Sequence, residues 1–515
     1  MIKLKKHIII PAFVIITITV MMLIVGPNKI VCAAQESYNR WALLTMILDK
    51  IERFYVQETD SDKLLNNAID GMLSGLDPYS RYLPPDSYTD YAVKYNGYYG
   101  IGLKYTMISN KPVVTSLVDG GPAEVAGLQL GDRILTIQNN SLSNHNAGDI
   151  HLLLSNNVNG PVNMSVLRPG KNDTLSFQLP RRKLMLQSIP ASFMLDEMTG
   201  YIKISIFTDS TPTELDIAFA ELNGKGMKKL ILDLRNNSGG DLEAAVNVAD
   251  RFIEGGKIIV FTKGRNHHAS KQYTATSKAT LPTVPIIILV NQASASGAEI
   301  LAGAIQDWDR GLIIGQRTFG KALVQTEYKF PDGSALLLTT ARYYTPLGRL
   351  IQRNPLSPNE ENDMRKQYTT PGGRTIEGGG GIKPDIKINT EKKKISDIFK
   401  RLFLAEENYF YQFADNYVNS LSEEEKPNDL RKFTAEFEVS DEMLLNFHRY
   451  LFNSGLKIDR YEFYENQTEI RHALKREIAA RVWGEEGRQR IRLSHDKNIN
   501  MCYDYFSKAR QLLNL

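Results

Sequence analysis

The spacing of apolar residues divides the chain into four stretches of different character. Over residues 38–75, leucine, isoleucine and methionine recur at every third or fourth position, which predicts amphipathic helices. Over 97–180 the apolar runs shorten and are separated by glycine and asparagine turns, as in a small β-rich domain. Strand-like and helix-like segments alternate over 187–390, and polar helical periodicity returns over 391–515. The pattern predicts helices, then a small β domain, then an α/β core, then helices again.

Three segments of the α/β stretch are almost continuously apolar, as strands buried on both faces are. They are Lys229–Leu234, Val284–Val290 and Gly311–Gly315. Strands that alternate with helices form a largely parallel sheet with right-handed crossovers, and active sites of such sheets lie at the carboxyl ends of the strands. The loops that follow these segments are therefore the candidate site.

The loop at 291–299 contains the candidate nucleophile. Small residues crowd a turn that enters a helix, and this places Ser296 near the helix N-terminus. There the amide of Gly297 and the positive end of the helix dipole would stabilise an oxyanion. A serine that only caps the helix would have the same local sequence, so this segment alone leaves both interpretations open.

A serine nucleophile needs a base, and Lys321 is the candidate. Neither this loop nor the one after the first buried strand contains a histidine, so a Ser-His-Asp triad has no local support. A lysine acts as a base only where desolvation lowers its pKa, and the apolar neighbours of Lys321 are consistent with partial burial. The alternative is an ordinary surface lysine. Gln325, four residues later, is either an orienting amide or an exposed strand residue.

The loop after the first buried strand contains two adjacent glycines, Gly239 and Gly240. Without side chains, their backbone N–H groups can face an anion. A plain tight turn would show the same pair.

The N-terminus has the pattern of an export segment. Three lysines precede the uncharged apolar run Ile8–Val25, and the small residues Cys32–Ala34 offer a cleavage site. The run is long for a cleaved signal and just long enough to span a membrane, so cleavage and anchoring both stay open. We expect an exported protein that is either periplasmic or anchored in the membrane facing the envelope.

Composition excludes several other classes. The 42% hydrophobic and 23% charged residues are those of a globular protein, and a net charge of +4 gives no nucleic-acid signature. Two cysteines, Cys32 and Cys502, exclude a disulfide framework and a cysteine metal cluster, and the eight histidines are scattered. We expect no metal site and no nucleic-acid partner.

Several ordered motifs resemble the C-terminal processing peptidases, or tail-specific proteases, which are Ser-Lys dyad serine proteases with a PDZ domain. The core motifs are LILDLRNNSGGDL, VNQASASGAEILAGAIQD, GQRTFGKALVQ, TTARYYTPLGRLIQ and GGGGIKPDIKI. GIGLKY and GPAEVAGLQLGDRILTIQ resemble the PDZ domain of the family, and LDKIERFYVQETDSDKLLNNAIDGMLSGLDPYSRYL resembles its helical N-terminal region. Together the blocks cover about residues 40–390.

The resemblance implies a role for each core residue. Ser296, in S-A-S-G-A-E, would be the catalytic serine, Lys321 its base and Gln325 a further site residue. The oxyanion hole would combine the amide of Gly297 with one from Gly239 or Gly240. The sequence departs from the family at Gly297 and Ala298, where Ala-Ser is usual, but neither change touches the dyad.

The resemblance also implies how substrates are recognised. The PDZ domain would add the substrate tail as an extra strand, with the terminal carboxylate on the amides of Gly100, Ile101, Gly102 and Leu103. Its binding is expected to switch the active site. Partners would be proteins or peptides with free C-terminal tails, while an adaptor, a homo-oligomer and anchoring through residues 8–25 stay open. No cofactor is implied.

The expected fold is multidomain α/β, with a crotonase- or ClpP-like protease core, an inserted β-rich PDZ domain, a helical N-terminal region and a helical C-terminal extension. The expected divisions are 1–34 as signal peptide or membrane anchor, 38–95 as the N-terminal helical region, 96–182 as the PDZ domain, 187–390 as the protease core and 391–515 as the helical extension. The expected function is a serine endopeptidase that cuts near C-termini through an acyl-enzyme. The alternatives are a catalytically silent PDZ scaffold and a crotonase-type acyl-transfer enzyme.

Overall fold

The computed structural model describes most of the chain in two compact units. It covers residues 27–108, 111–118, 120–142, 145, 149–150, 153–154, 160–171, 173–185, 187–276, 284–354, 366–388, 397–403 and 408–513, with side chains described from Arg40 onward. One unit comprises residues up to Pro84 with Tyr328–Leu337, and the other comprises Pro85–Glu327 with Leu338–Leu515. The apolar run Ile8–Val25 lies outside the described residues. Among the helices within them, none combines the length and apolar character that crossing a membrane requires.

The first unit contains the predicted N-terminal helices. Its elements are α1 (Pro27–Phe54), α2 (Ser61–Ser74) and β1 (Arg81–Leu83). The side chain of Asp60 accepts a hydrogen bond from the Lys63 amide, which caps the start of α2. Strand β1 pairs antiparallel with residues 335–337.

The second unit begins with the predicted β-rich domain. Its elements are α3 (Pro85–Asn96), β2 (Tyr98–Gly100), β3 (Leu103–Ile108), β4 (Lys111–Leu117), α4 (Pro122–Val125), β5 (Arg133–Ile137), β6 (Asn140–Ser141), β7 (Val162–Leu167), β8 (Thr174–Leu179) and β9 (Arg182–Leu184). The strand order is β3-β4-β5-β7-β8, with β6 on β5 and a separate β2–β9 pair. Strand β3 therefore lies at an edge of its sheet.

The α/β core follows. Its elements are β10 (Ala191–Met194), β11 (Thr199–Lys203), α5 (Thr211–Gly224), β12 (Lys229–Asp233), α6 (Leu242–Asp250), β13 (Ile258–Gly264), a 3-10 turn (His267–Ala269), β14 (Gln272–Thr274), β15 (Ile286–Val290), α7 (Gly297–Asp307), β16 (Leu312–Gly315), β17 (Leu323–Lys329), β18 (Ala335–Tyr344), β19 (Gln367–Thr369), β20 (Thr375–Glu377) and β21 (Ile386–Lys387). The main sheet has the order β10-β11-β12-β15-β16-β21, and all pairs from β11 to β21 are parallel. The predicted parallel sheet is confirmed.

Strand β13 departs from the simple alternation of strands and helices. The alternation suggests a further parallel strand, but β13 pairs antiparallel with β14 and with residues 341–344 of β18. The apolar pattern identified the strand and not its partner, because pairing depends on distant residues.

The chain ends in the predicted helical stretch. Its helices are α8 (Asp397–Phe403), α9 (Tyr409–Ser420), α10 (Leu430–Glu436), α11 (Asp441–Asn453), α12 (Arg460–Glu465), α13 (Gln467–Ser494) and α14 (Lys497–Leu512). Helix α13 is kinked at Gly484, whose φ is 63°. Residues of α14, among them Cys502 and Phe506, pack with Ile287 and Leu289 of the main sheet. The opposite face of the sheet packs against α5, α6 and α7, so its central strands are buried on both sides, as their sequences predict.

Candidate active site

Ser296 lies at the turn between β15 and α7, in an unusual backbone conformation. Its φ and ψ are 53° and −113°, and it begins α7 as the first residue of a capping box with Glu299. Non-glycine residues in sparsely populated conformations persist only where the surroundings enforce them, and they cluster at functional sites. Here the enforcing contacts come from the neighbouring loop. The Ala295 amide donates to the carbonyl of Asn237, and the Ser294 hydroxyl donates to that of Leu234.

The loop after β12 contains two glycines, Gly239 and Gly240, that neighbouring residues approach closely. A Cβ on Gly239 would lie 2.7 Å from Cβ of Ser296 and 3.0 Å from the amide nitrogen of Gly297. A Cβ on Gly240 would overlap the carbonyl oxygen of Phe207. Both have positive φ, 98° and 143°. Close approach to Ser296 therefore requires glycine at position 239, and close approach to the Phe207 backbone requires it at position 240.

The amides around Ser296 differ in their availability. The Gly239 amide donates to Oδ1 of Asn237 at 2.8 Å. Within the described residues, the amides of Gly240 and Gly297 have no acceptor. Of the two glycines predicted as alternative partners for Gly297, Gly239 thus has its amide engaged by a side chain, whereas Gly240 does not.

The departure from the family motif at Gly297 has a steric counterpart. A Cβ at this position would meet Cδ2 of Phe207 at 3.1 Å and Cβ of Ala245 at 3.2 Å. The Phe207 ring thus fills the space that an alanine side chain would need.

Lys321 lies at the start of the segment that leads into β17. Its ammonium donates to Oε1 of Gln325 at 2.8 Å. Ala322 and Leu323 are buried, whereas Lys321 itself is half-buried. Gln325 is therefore a direct hydrogen-bond partner of the lysine side chain. Gly320, with φ of 85°, makes the turn that precedes it.

Two buried residues that the sequence reasoning missed join the serine loop to the lysine loop. Oε2 of Glu299 accepts from the amides of Ser296 and Lys321, both at 2.9 Å. Its Oε1 accepts from the Gly320 amide at 2.7 Å and the Thr318 hydroxyl at 2.5 Å. The Tyr343 hydroxyl lies 2.7 Å from the carbonyl oxygen of Lys321 and 3.1 Å from that of Ser296. We call Glu299 and Tyr343 the loop clamp.

Burial sets the charge states of the loop clamp. Glu299 is fully buried, which raises its pKa to about 7, while the four hydrogen bonds donated to it oppose the rise. Burial and the nearby charge of Glu299 raise the pKa of Tyr343 well above its ordinary value, so Tyr343 is a neutral donor. A sequence signal for Glu299 exists: a serine followed three residues later by glutamate at a helix start is the capping-box pattern. Tyr343 has no such local signal.

The predicted peptide-binding residues lie at the start of edge strand β3. The carbonyls of Ile101 and Gly102 accept from the amides of Ala123 and Val118, which fixes the loop. The amides of Ile101 and Gly102 have no acceptor in the described part of the chain. Gly100 and Leu103, the other two predicted residues, are paired within strands β2 and β3. Gly102 has φ of 80°, which favours glycine there.

The described residues contain no cluster of three or more histidine, cysteine, aspartate or glutamate side chains placed to hold a metal ion.

Four protein families match parts of the chain. Peptidase family S41 matches residues 198–362, and the PDZ domain matches 100–179. The N-terminal domain of the activating protease CtpB matches 29–87, and a family of unknown function matches 402–484.

Several proteins similar to this chain are carboxy-terminal processing proteases. The carboxy-terminal-processing protease of Bartonella bacilliformis is 34% identical over 330 residues, which cover 63% of this chain and 75% of that protein. The carboxy-terminal processing protease CtpA of Bacillus subtilis is 30% identical over 366 residues, 70% of this chain and 78% of that protein. Among solved structures, the photosystem II D1 C-terminal processing protease is 27% identical, with a TM-score of 0.35, and the match covers 71% of this chain and 98% of that one.

These matches confirm the predicted family and fold class, an S41 protease fold with a PDZ domain, a helical N-terminal domain and a helical C-terminal region. The chain therefore belongs to peptidase family S41, as a serine-type peptidase of the carboxy-terminal processing protease group.

Proposed function

We propose that the chain is a serine endopeptidase in which Ser296 is the nucleophile and Lys321 the general base. The observation that carries this proposal is the loop clamp. The carboxylate of Glu299 accepts from both the Ser296 and Lys321 amides, and the Tyr343 hydroxyl bridges their carbonyls. Two loops far apart in sequence are thereby held as one unit at the carboxyl ends of the sheet strands.

The acylation step uses three groups. Neutral Lys321 takes the Ser296 hydroxyl proton as Oγ attacks the peptide carbonyl, and the resulting oxyanion is received by the amides of Gly297 and Gly240. These amides have no acceptor among the described residues, so no existing hydrogen bond has to break before they donate. The protonated lysine then gives its proton to the leaving amine.

Deacylation repeats the same proton transfers with water. Lys321 removes a proton from a water molecule that attacks the acyl-enzyme, and it gives this proton to Oγ of Ser296 as the ester bond breaks. In the structure Nζ of Lys321 donates to Gln325, and rotation about the lysine side-chain bonds would exchange this partner for the serine hydroxyl. We propose that Gln325 binds the lysine side chain whenever the lysine is not bonded to the serine hydroxyl.

We further propose that the PDZ domain recognises C-terminal tails of protein substrates. Strand β3 is an edge strand, which is what strand addition requires. The amides of Ile101 and Gly102 without acceptors lie at its start, where the carboxylate of an added strand would end. Expected divisions of 96–182 for this domain and 187–390 for the protease core remain proposals, as does export to the envelope through the N-terminal segment.

Cleavage of an unfolded polypeptide by purified protein tests the catalytic proposal. Wild type should produce fragments, and Ser296→Ala and Lys321→Ala should each abolish them while thermal unfolding stays close to wild type. Undiminished cleavage by either variant contradicts the assigned dyad. Absence of cleavage by wild type, with intact binding of a tail peptide, would indicate the silent PDZ scaffold instead.

A further inference from the structure

The helices after residue 408 connect the protease core to the PDZ domain, and we call residues 408–513 the C-terminal arm. One end of the arm is fixed to the core. Cys502 and Phe506 of α14 pack on the apolar face of the parallel sheet, and Arg235 donates to Asp496 at 2.7 Å. Asp496 also caps α14 by accepting from the Asn498 amide. A buried apolar face together with a charged hydrogen bond makes this a firm attachment.

The other end of the arm holds the PDZ domain through one buried carboxylate. Asp415 of α9 is fully buried and accepts from Nε of Arg481 at 2.7 Å and from Nη2 of Arg133 at 3.1 Å. Arg133 belongs to β5 of the PDZ domain, whereas Arg481 belongs to α13 of the arm. Arg481 also donates to the carbonyl of Leu130 at 3.0 Å. A single guanidinium thus bonds both to the arm and to the PDZ backbone.

The contact requires close approach. A Cβ on Gly131 would overlap the guanidinium of Arg481, so glycine lets the PDZ backbone reach it. Gln412 of the arm also faces the carbonyl of Met107, at 3.5 Å. Both the PDZ domain and the arm therefore contribute residues to this contact.

The apolar part of this contact is small. It consists of Ile108 and Val113 of the PDZ domain around Tyr411 of the arm. The Tyr411 hydroxyl and Nδ2 of Asn419 are buried and have no hydrogen-bond partner in the described chain. Orphan polar atoms weaken an interface, so the attachment depends mainly on the network of Asp415.

The contacts of the described arm residues with β3 lie at the opposite end of the strand from the predicted tail-binding loop. These contacts involve Met107 and Ile108. The loop of Ile101 and Gly102 precedes the start of β3, about 17–20 Å away for a strand of this length. These contacts thus hold the PDZ domain at a distance from the tail-binding loop.

We propose that the C-terminal arm fixes the PDZ domain relative to the catalytic loops, so that cleavage occurs at a set distance from the bound C-terminus. The proposal rests on the proposed function. A substrate bound by its tail reaches Ser296 at a high effective concentration. That concentration is highest when the chain between the tail and the cut bond matches the span from the PDZ domain to the serine. A PDZ domain held in one position selects one span, whereas a loosely held domain accepts many.

Asp415→Asn tests this with little change in volume. Asparagine turns one acceptor oxygen into an amide donor that faces arginine donors, which breaks the network. The substrates are an unfolded polypeptide with its free C-terminus and the same polypeptide with an amidated C-terminus, and mass spectrometry locates the cut bonds. Wild type should cut the free-tail substrate within a narrow window. Asp415→Asn should spread the cuts over a wider window and lower the rate on this substrate by roughly tenfold.

The controls separate the arm from the other parts of the proposal. Asp216→Asn breaks an exposed aspartate–arginine pair with Arg251 on the core and should leave the window unchanged. Affinity for a tail peptide, measured by fluorescence anisotropy, should be equal in wild type and Asp415→Asn. Should Asp415→Asn fail to fold, Arg133→Ala removes only the PDZ side of the network and should widen the window to a lesser degree.

Two results would overturn the proposal. One is an unchanged set of cut bonds in a folded Asp415→Asn protein that binds the tail peptide normally. The other is faster cleavage by that variant, because it would make the arm an inhibitory contact and not a spacer. Persistent cleavage by Ser296→Ala bears on the proposed function and not on the arm.

Discussion

The loop clamp and the attachment of the PDZ domain both use a buried carboxylate, and they differ in how completely their polar groups are paired. Glu299 accepts four hydrogen bonds, two on each oxygen. Asp415 accepts from two arginines, and two buried polar atoms beside it have no partner within the described residues. A fully paired network is rigid, whereas one with orphan groups has less to lose on opening. The catalytic loops are therefore expected to be the stiffer junction, and the PDZ attachment to lose less stability when one of its groups is removed.

Among changes at the two junctions, Glu299→Gln is expected to have the largest effect. Glutamine replaces one acceptor oxygen with an NH2 group that faces two donors, so the serine and lysine loops separate. We expect the rate of peptide cleavage to fall at least about a hundredfold, the scale for misplaced catalytic groups. The measurement is kcat/KM on a short peptide, with the exposed Glu221→Gln as the matched control. An activity within a few-fold of wild type would contradict the role of the loop clamp.

The raised pKa of Glu299 predicts a pH effect on stability. Its folded-state pKa of about 7 exceeds the ordinary 4.5, so the folded protein holds this proton more tightly than the unfolded chain. The associated stabilisation is fully present below about pH 4.5 and is lost as the pH rises through about 7. It amounts to about 3 kcal/mol.

Urea unfolding at several pH values checks this expectation. The free energy of unfolding of wild type relative to Glu299→Gln should decline between pH 4.5 and 7. A difference that is flat over this range would show that Glu299 stays ionised throughout.

A smaller effect is expected at Gly297. The added methyl group of Gly297→Ala would press on Phe207 and Ala245 and cost about 1–3 kcal/mol of stability. Ala245→Gly in the same chain removes one of the two contacts and should recover part of the loss, as a double-mutant cycle would reveal. If the changes in unfolding free energy of the two single variants simply add in the double variant, the loss does not arise from the contact between residue 297 and residue 245.

The smallest effect is expected from Arg133→Ala at the PDZ attachment. A quarter of the Arg133 side chain is exposed, and Arg481 still pairs with Asp415 in this variant. We expect a loss of about 1 kcal/mol in unfolding free energy and unchanged cleavage of short peptides without a PDZ-binding tail. A loss of unfolding free energy as large as the one measured for Glu299→Gln would contradict the difference in stiffness between the loop clamp and the PDZ attachment.

Local sequence was sufficient for the elements, and it marked the loops between them without deciding the roles of their residues. The apolar runs identified the buried strands, and the small-residue loops located Ser296 and the glycine pair, because burial and tight turns leave local patterns. Whether Gly239 or Gly240 faces an anion could not be decided, since the answer depends on the side chain of Asn237.

Contacts between distant segments leave no pattern in the local sequence. Tyr343 meets the Ser296 carbonyl 47 residues away in sequence, and Arg133 meets Asp415 across 282 residues. The helical extension was predicted as helices, but its position over the open face of the sheet depends on tertiary packing that periodicity does not encode.

Covalent labelling with a fluorophosphonate tests the Ser296–Lys321 assignment most directly. The probe reacts with a serine only when a base activates its hydroxyl, and mass spectrometry locates the adduct. We predict one adduct, on Ser296, that forms faster as the pH rises and is absent from Lys321→Ala. Labelling of Ser296 at an equal rate in folded Lys321→Ala, or an adduct on a different serine, would contradict the proposed dyad.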